Sequence, residues 1–364
     1  MTRPSSSRLF AVKLRAAAFF TAIVVVSRAL AADTAPADAA SQKRDAEKLP
    51  AAAPQRNLPT NQFFKATAEE MDRAMRADSA TTQKEPLQFS KGNGVRLLMT
   101  GHSWVAPGRR TLLEIAAAAG FDGHHQRAHL SGGGTGSANS IWLTEFGKFP
   151  GKHATPVLLP AIATGQWDVM TWGGYYGDTV ECFGQWIDVC LRHNPAMKFA
   201  VQDGWPTYRS SRGGEPADAI RKSIDEQQER IQHDIIQKTA AAIEAAYPGK
   251  VHVIPAGAAV VEMLHHYLAG ELPGFDCISE HLGGKRGIYR DGGHLSVTSG
   301  MEYLVGYLYY GMLYRQSPER IADFHPRGVD PVVDRHMRRA AWNAIIHSPL
   351  SGITDKEGKG VADP

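Results

Sequence analysis

The chain predicts an α/β protein: a three-layer α/β/α sandwich on a central parallel sheet of about five strands. Three observations lead there. Short β-type apolar runs alternate with longer helical stretches from residue 95 onward, as expected of strands joined by crossover helices. Three glycine-bearing motifs, Gly101-His102-Ser103-Trp104, Gly132–Gly136 and Gly173-Gly174, each follow directly on a candidate strand. In an open parallel sheet ligands bind beyond the carboxyl ends of the strands, so these motifs should gather on one edge. Finally, composition is that of an ordinary globular protein, 43% apolar and 21% charged, with no internal repeat.

Taken in order, residues 66–76 read as a short helix with Thr67 as N-cap and Glu69 and Glu70 in the first turn. Residues 95–100 form the first strand, and 110–119 a helix closed by Gly120. Residues 126–130 give a weaker strand that leads into the glycine-rich connection 131–140. A third strand spans 167–172, followed by a helix over 179–191 that ends before His193-Asn194-Pro195. Residues 198–202 are a fourth strand. A long helix is expected over 216–246, stopped by Tyr247-Pro248-Gly249. Residues 251–255 are the fifth strand and 259–269 the next helix. A helix over 299–314, with Leu304, Leu308 and Met312 on one face, closes the domain. A C-terminal helical extension, 317–364, carries one more helix at about 331–346.

Residues 1–31 stand apart from this globule. Arg3, Arg8, Lys13 and Arg15 precede an apolar run over 16–26, and Ala29-Leu30-Ala31 offers the small-x-small pattern of a signal-peptidase site. The run is short for a membrane span, which needs about 20 residues; a retained anchor is the competing reading. A signal peptide implies a secreted or periplasmic protein. The segment holds five Lys or Arg and no acid, so its removal turns 40 basic and 37 acidic residues into 35 and 37. The formal +3 becomes about −2, and no basic patch asks for nucleic acid. Residues 32–94 are Ala-, Pro- and Gln-rich and read as a linker holding the short helix. Cys182 and Cys190, eight apart on one helix, would lie about 12 Å from each other, too far for a disulfide. Although a bridge to Cys277 stays open, all three are read as buried and unpaired.

The chemistry gathers in two motifs. Ser103 follows the first strand, where its hydroxyl can face solvent and its N–H a developing oxyanion; a serine there can equally cap a helix. Asp291-Gly292-Gly293-His294 places a carboxylate three residues from an imidazole on a tight turn, close enough to hold Nδ1 and aim Nε2 at a serine. It can also be an idle polar loop. The loop 131–137 can present N–H groups to an oxyanion, or simply connect. His124-His125 and His265-His266 are adjacent pairs whose side chains diverge, and with no His-Glu-x-x-His or Cys-x-x-Cys no catalytic metal is expected. Trp104, Trp142, Trp172 and Trp205 could line a sugar-stacking cleft; core packing is the alternative.

On these residues the chain resembles the SGNH hydrolases, or GDSL-type esterases and lipases, over about residues 95–316. Gly101-His102-Ser103 is similar to the family's first block, with His102 in place of its usual aspartate. Asp291-Gly292-Gly293-His294 and the following 295–300 resemble its last block. The resemblance implies a flavodoxin-like sandwich, Ser103 as nucleophile, His294 as base and Asp291 as orienter, with no cofactor. It implies an oxyanion hole of the Ser103 N–H and a second-block glycine, Gly133 foremost. The third block departs: Gly173-Gly174-Tyr175-Tyr176 lacks the asparagine that completes the hole, leaving Tyr175 or Asn139 as substitutes. The implied protein is an exported esterase acting on carboxylic esters such as O-acetylated extracellular carbohydrate. Lipid or thioester substrates share that mechanism, and a non-catalytic glycan-binding module is the alternative from another class.

Overall fold

The computed structural model describes residues 92–147, 156–175, 177–210 and 213–363. The expected signal peptide, the helix at 66–76 and nearly all of the linker lie outside the described residues. Strands β1 (Arg96–Gly101), β2 (His125–Leu130), β3 (Val169–Gly173), β4 (Lys198–Gln202) and β5 (Val251–Ile254) form one sheet in the order β2-β1-β3-β4-β5. Every pairing is parallel. This is the flavodoxin-like strand order, whose switch point lies between β1 and β3. The interior strands β1, β3 and β4 are buried almost throughout. β2 is an edge strand, half-buried along its length, and its polar sequence His-Gln-Arg-Ala-His-Leu follows from that.

Helices α1 (Ala106–Ala118), α2 (Ala138–Glu145), α3 (Leu158–Ala163), α4 (Val180–His193), α5 (Ala217–Ile231), α6 (Ala241–Ala246), α7 (Ala256–Leu268), α8 (Tyr303–Tyr314) and α9 (Pro331–His347) cover the sheet. Leu97 and Met99 of β1 point to one side, into a core shared with Leu112 and Ile115 of α1, Met263 of α7, Leu308 of α8 and Met337 of α9. Leu98, Met170, Trp172 and Phe199 point to the other, against Trp142 of α2, Leu159 of α3, Trp186 of α4 and Ile243 of α6. The C-terminal extension is therefore part of a layer: Met337, Ala341 and Ile345 of α9 pack in the same core as α7 and α8.

The differences from expectation have local causes. α1 starts at Ala106 rather than residue 110, because Pro107 sits in its first turn, where a missing N–H is harmless. The long helix at 216–246 is split into α5, a π-helical segment Gln232–Ala240 and α6; no Gly or Pro marks the change. The connection 131–140 is a 3₁₀ turn, Gly133–Gly136, followed by α2, whose N-cap Ser137 accepts from the Ser140 N–H at 3.1 Å. Strands β6 (Cys277–Ser279) and β7 (Gly287–Tyr289) pair in parallel as a separate small sheet; three residues each are too few to show a period. All three cysteines are free. Only Cys190 is buried, whereas Cys182 and Cys277 are half-buried, correcting the expectation for those two. Among the described residues no helix is long and apolar enough to cross a membrane.

Candidate active site

β1 ends at Gly101, and the next four residues turn tightly into α1, with the Val105 N–H donating to the His102 carbonyl at 3.0 Å. Ser103 is half-buried on that turn, at the switch-point end of the sheet. Its own N–H donates to no described residue, which leaves it available to a ligand oxygen. His102 anchors the turn from below. Its ring is buried, with Nε2 3.2 Å from the Gly174 carbonyl, while the Trp104 N–H donates to Nδ1 at 3.4 Å. Those partners require a neutral ring protonated on Nε2. Burial lowers its pKa, the Gly174 carbonyl opposing and nearby His294 adding to the drop.

The second motif is built by β7 and the turn after it. Tyr289 pairs with Leu295 across the turn, and the Arg290 N–H donates to the His294 carbonyl at 2.8 Å. Gly292 adopts φ +80°, and a Cβ there would strike the Tyr208 carbonyl, so only glycine fits this close approach. Asp291 Oδ1 accepts the His294 backbone N–H at 2.9 Å, and Oδ2 lies 2.9 Å from His294 Nδ1. His294 Nε2 lies 2.8 Å from Ser103 Oγ. Thus the three residues singled out from sequence form one continuous relay across 191 positions of chain. Burial pushes the Asp291 carboxyl up. The His294 N–H, the Arg290 guanidinium (3.0 Å) and the His294 ring outweigh it and hold the group well below the usual carboxylate range. An ionised Asp291 keeps the His294 proton on Nδ1, so Nε2 can accept the serine proton.

Two tryptophans register the motifs against each other. Trp104 stacks on Trp205 at 4.5 Å and 15°, and Trp205 Nε1 donates to the Gly293 carbonyl at 2.8 Å. Gln202, at the end of β4, donates to the Trp104 carbonyl at 3.2 Å. Trp142, Trp172 and Trp205 are core residues with at most 1% exposure, so the expected tryptophan-lined cleft reduces to half-buried Trp104. The role of Trp205 could not be read from sequence, because only the fold brings its indole to the Asp-His turn. Arg290 carried a readable signal: a cation directly before the acid.

The oxyanion candidates are placed unequally. Gly136 presses on the Ser103 turn: a Cβ on it would lie 2.6 Å from His102 Cα. Gly134 faces Tyr175, whose hydroxyl would be 3.6 Å from its Cβ and whose ring meets His102 edge-on at 5.3 Å. A Cβ on Gly133 would point into open space, and Asn139 is exposed in the first turn of α2. Asp178, overlooked in the sequence, accepts the Ala138 and Asn139 N–H groups at 3.1 and 3.4 Å. Burial raises its carboxyl to about 6 against those donors. It thereby ties the exit of the glycine turn to the segment carrying Tyr175.

Fold and site together define a three-layer α/β/α protein of flavodoxin-like strand order with a Ser-His-Asp relay at its switch point. No protein-family model and no curated protein matches the chain. Among solved structures it is similar to a DUF4886 family protein from Bacteroides uniformis ATCC 8492, determined at 1.50 Å resolution. The TM-score is 0.50 at 16% identity, covering 70% of this chain and 96% of that one. At that identity the likeness concerns the fold alone.

Proposed function

We propose that this protein is an exported serine esterase of SGNH-hydrolase type that cleaves carboxylic esters. The observation that carries the reading is the relay Asp291–His294–Ser103, with both links inside hydrogen-bond range. His294 Nε2 removes the Ser103 proton as Oγ attacks the acyl carbonyl. Asp291 holds the imidazolium that forms. The carbonyl oxygen, now negative, is received by the Ser103 N–H and the glycine turn, with the Tyr175 hydroxyl in place of the family's asparagine amide. Collapse expels the alcohol, protonated by His294, and water then releases the acid by the same steps in reverse order. The chain's own side chains supply every proton transfer.

A second reading is favoured by one feature: no side-chain amide follows Gly173-Gly174. One missing donor typically costs about 10²–10³ in rate, and a glycan-binding module on this fold would tolerate that loss. Labelling by a fluorophosphonate separates the two. The hydrolase reading expects covalent labelling of the wild type and none in Ser103→Ala or His294→Ala. A folded wild type that takes no label favours the binding module, and glycan-binding assays then decide it.

A further inference from the structure

On the outer layer, α7 and α9 run antiparallel, joined by two polar rungs. Asn343 of α9 donates to Glu262 Oε1 of α7 at 3.0 Å. One to two turns further along, His336 of α9 packs on His266 of α7, with ring centroids 4.1 Å apart and planes at 50°. α7 ends at Leu268, and Gly270 at φ +74° reverses the chain. The Glu271 N–H then donates back to the His266 carbonyl at 3.0 Å. That turn folds the Glu271 carboxylate onto His266, 2.5 Å from Nδ1. One ligand atom from each of His266, Glu271 and His336 therefore lies within 4.8 Å of the others, and Glu262 Oε1 is 3.9 Å from His266 Nε2. Nothing in the Ser103 relay uses these groups.

We propose that His266, Glu271 and His336 bind a divalent transition-metal cation of the zinc type. Two imidazoles and one carboxylate form a borderline donor set, suited to zinc rather than to calcium or magnesium, which take oxygen ligands. Zinc–ligand bonds of about 2.0–2.2 Å put tetrahedral ligand atoms roughly 3.3 Å apart, so modest side-chain rotation closes the cluster. His336 presents its ring to His266 from the neighbouring helix, so the two imidazoles reach the cluster from different elements. Glu271 and His266 are 52% and 23% exposed, which gives a cation a path in from solvent. Water takes the fourth position. α7 starts directly after β5, at the nucleophile edge of the sheet, and its thirteen residues carry the cluster about 20 Å away. A cation there clamps the C-terminal helix to the α/β core, away from the acyl chemistry.

The test uses the full chain without tag histidines, stripped by chelator and titrated with Zn²⁺ against a chromophoric competitor. The expected result is one Zn²⁺ per chain, a Co²⁺ form with the visible bands of four- or five-coordination, and a melting temperature raised by Zn²⁺. His336→Ala and the exposed, fold-neutral Glu271→Gln should each weaken binding by about tenfold or more. His265→Ala should leave it unchanged, since that ring pairs with Asp225 at 3.0 Å. Absence of stoichiometric binding, or wild-type affinity in both Glu271→Gln and His336→Ala, overturns the assignment.

Discussion

Replacing Asp291 by Asn tests the relay at its least obvious link. Asp291 Oδ1 is occupied by the backbone N–H of His294 at 2.9 Å and that of Gly293 at 3.3 Å, so the oxygen of an introduced amide stays there. Its NH₂ then replaces Oδ2, 2.9 Å from His294 Nδ1, where it can only donate; the retained Oδ1, 3.0 Å from the same nitrogen, already accepts two backbone N–H groups and competes poorly. The His294 proton moves to Nε2, the nitrogen 2.8 Å from Ser103 Oγ, which can no longer accept the serine proton. A wrong tautomer with intact geometry lowers turnover by about 10⁴, roughly 5 kcal/mol of transition-state stabilisation. Stability should hardly change. The pair lost with Arg290 is 56% and 40% exposed, a class of contact worth about 0–1 kcal/mol. The assay is the second-order rate of fluorophosphonate inactivation, with hydrolysis of short acyl esters and a melting curve on the same sample. An Asp291→Asn variant within tenfold of wild type would refute the tautomer argument.

Three further outcomes are expected. Burial lifts the Asp203 carboxyl from 3.8 to about 7 against the Gly257 and Ala256 N–H groups. The folded state thus holds an extra proton between about pH 4 and 7, and stability falls as pH rises through that window, by at most about 4 kcal/mol. Asp203→Asn should flatten the melting temperature across that range, and parallel curves would contradict the assignment. Gly136→Ala places a Cβ 2.7 Å from the Gly101 carbonyl, whereas one on Gly132 meets open space; the first should abolish labelling of Ser103 and the second leave it intact, and equal labelling rates would remove the glycine turn from the site. Arg338→Ala strands the buried Asp334 carboxylate, its partner at 2.9 Å, and the carbonyls of Pro318 and Ile321. It should cost about 3–5 kcal/mol in urea unfolding, and an unshifted midpoint would show the pair to be dispensable.

The strands were legible because interior parallel strands are apolar on both faces, so β1, β3 and β4 stand out as runs. Ser103, Asp291 and His294 were legible because each lies on a tight connection whose neighbours are constrained: a strand end for the serine, a glycine pair for the acid and base. The π segment 232–240 was not, since Gln, His, Asp and Lys suit an α-helix as well. Trp205 and Asp178 act through contacts with residues 88 and 40 positions away, and no local pattern encodes such separations. His266 and His336 escaped for the same reason. Adjacent His265-His266 drew attention to the neighbour in sequence, whereas the partner that matters lies one helix across.

The separation of the relay along the chain also orders events in time. Ser103 is made early and His294 191 residues later, an interval of about 10–40 s at usual elongation rates. A nascent chain of any length short of that turn carries a hydroxyl with no base to ionise it. On the proposed esterase reading, incomplete or truncated products are silent toward esters, and the Ser103–His294–Asp291 relay is assembled only once nearly the whole domain has left the ribosome.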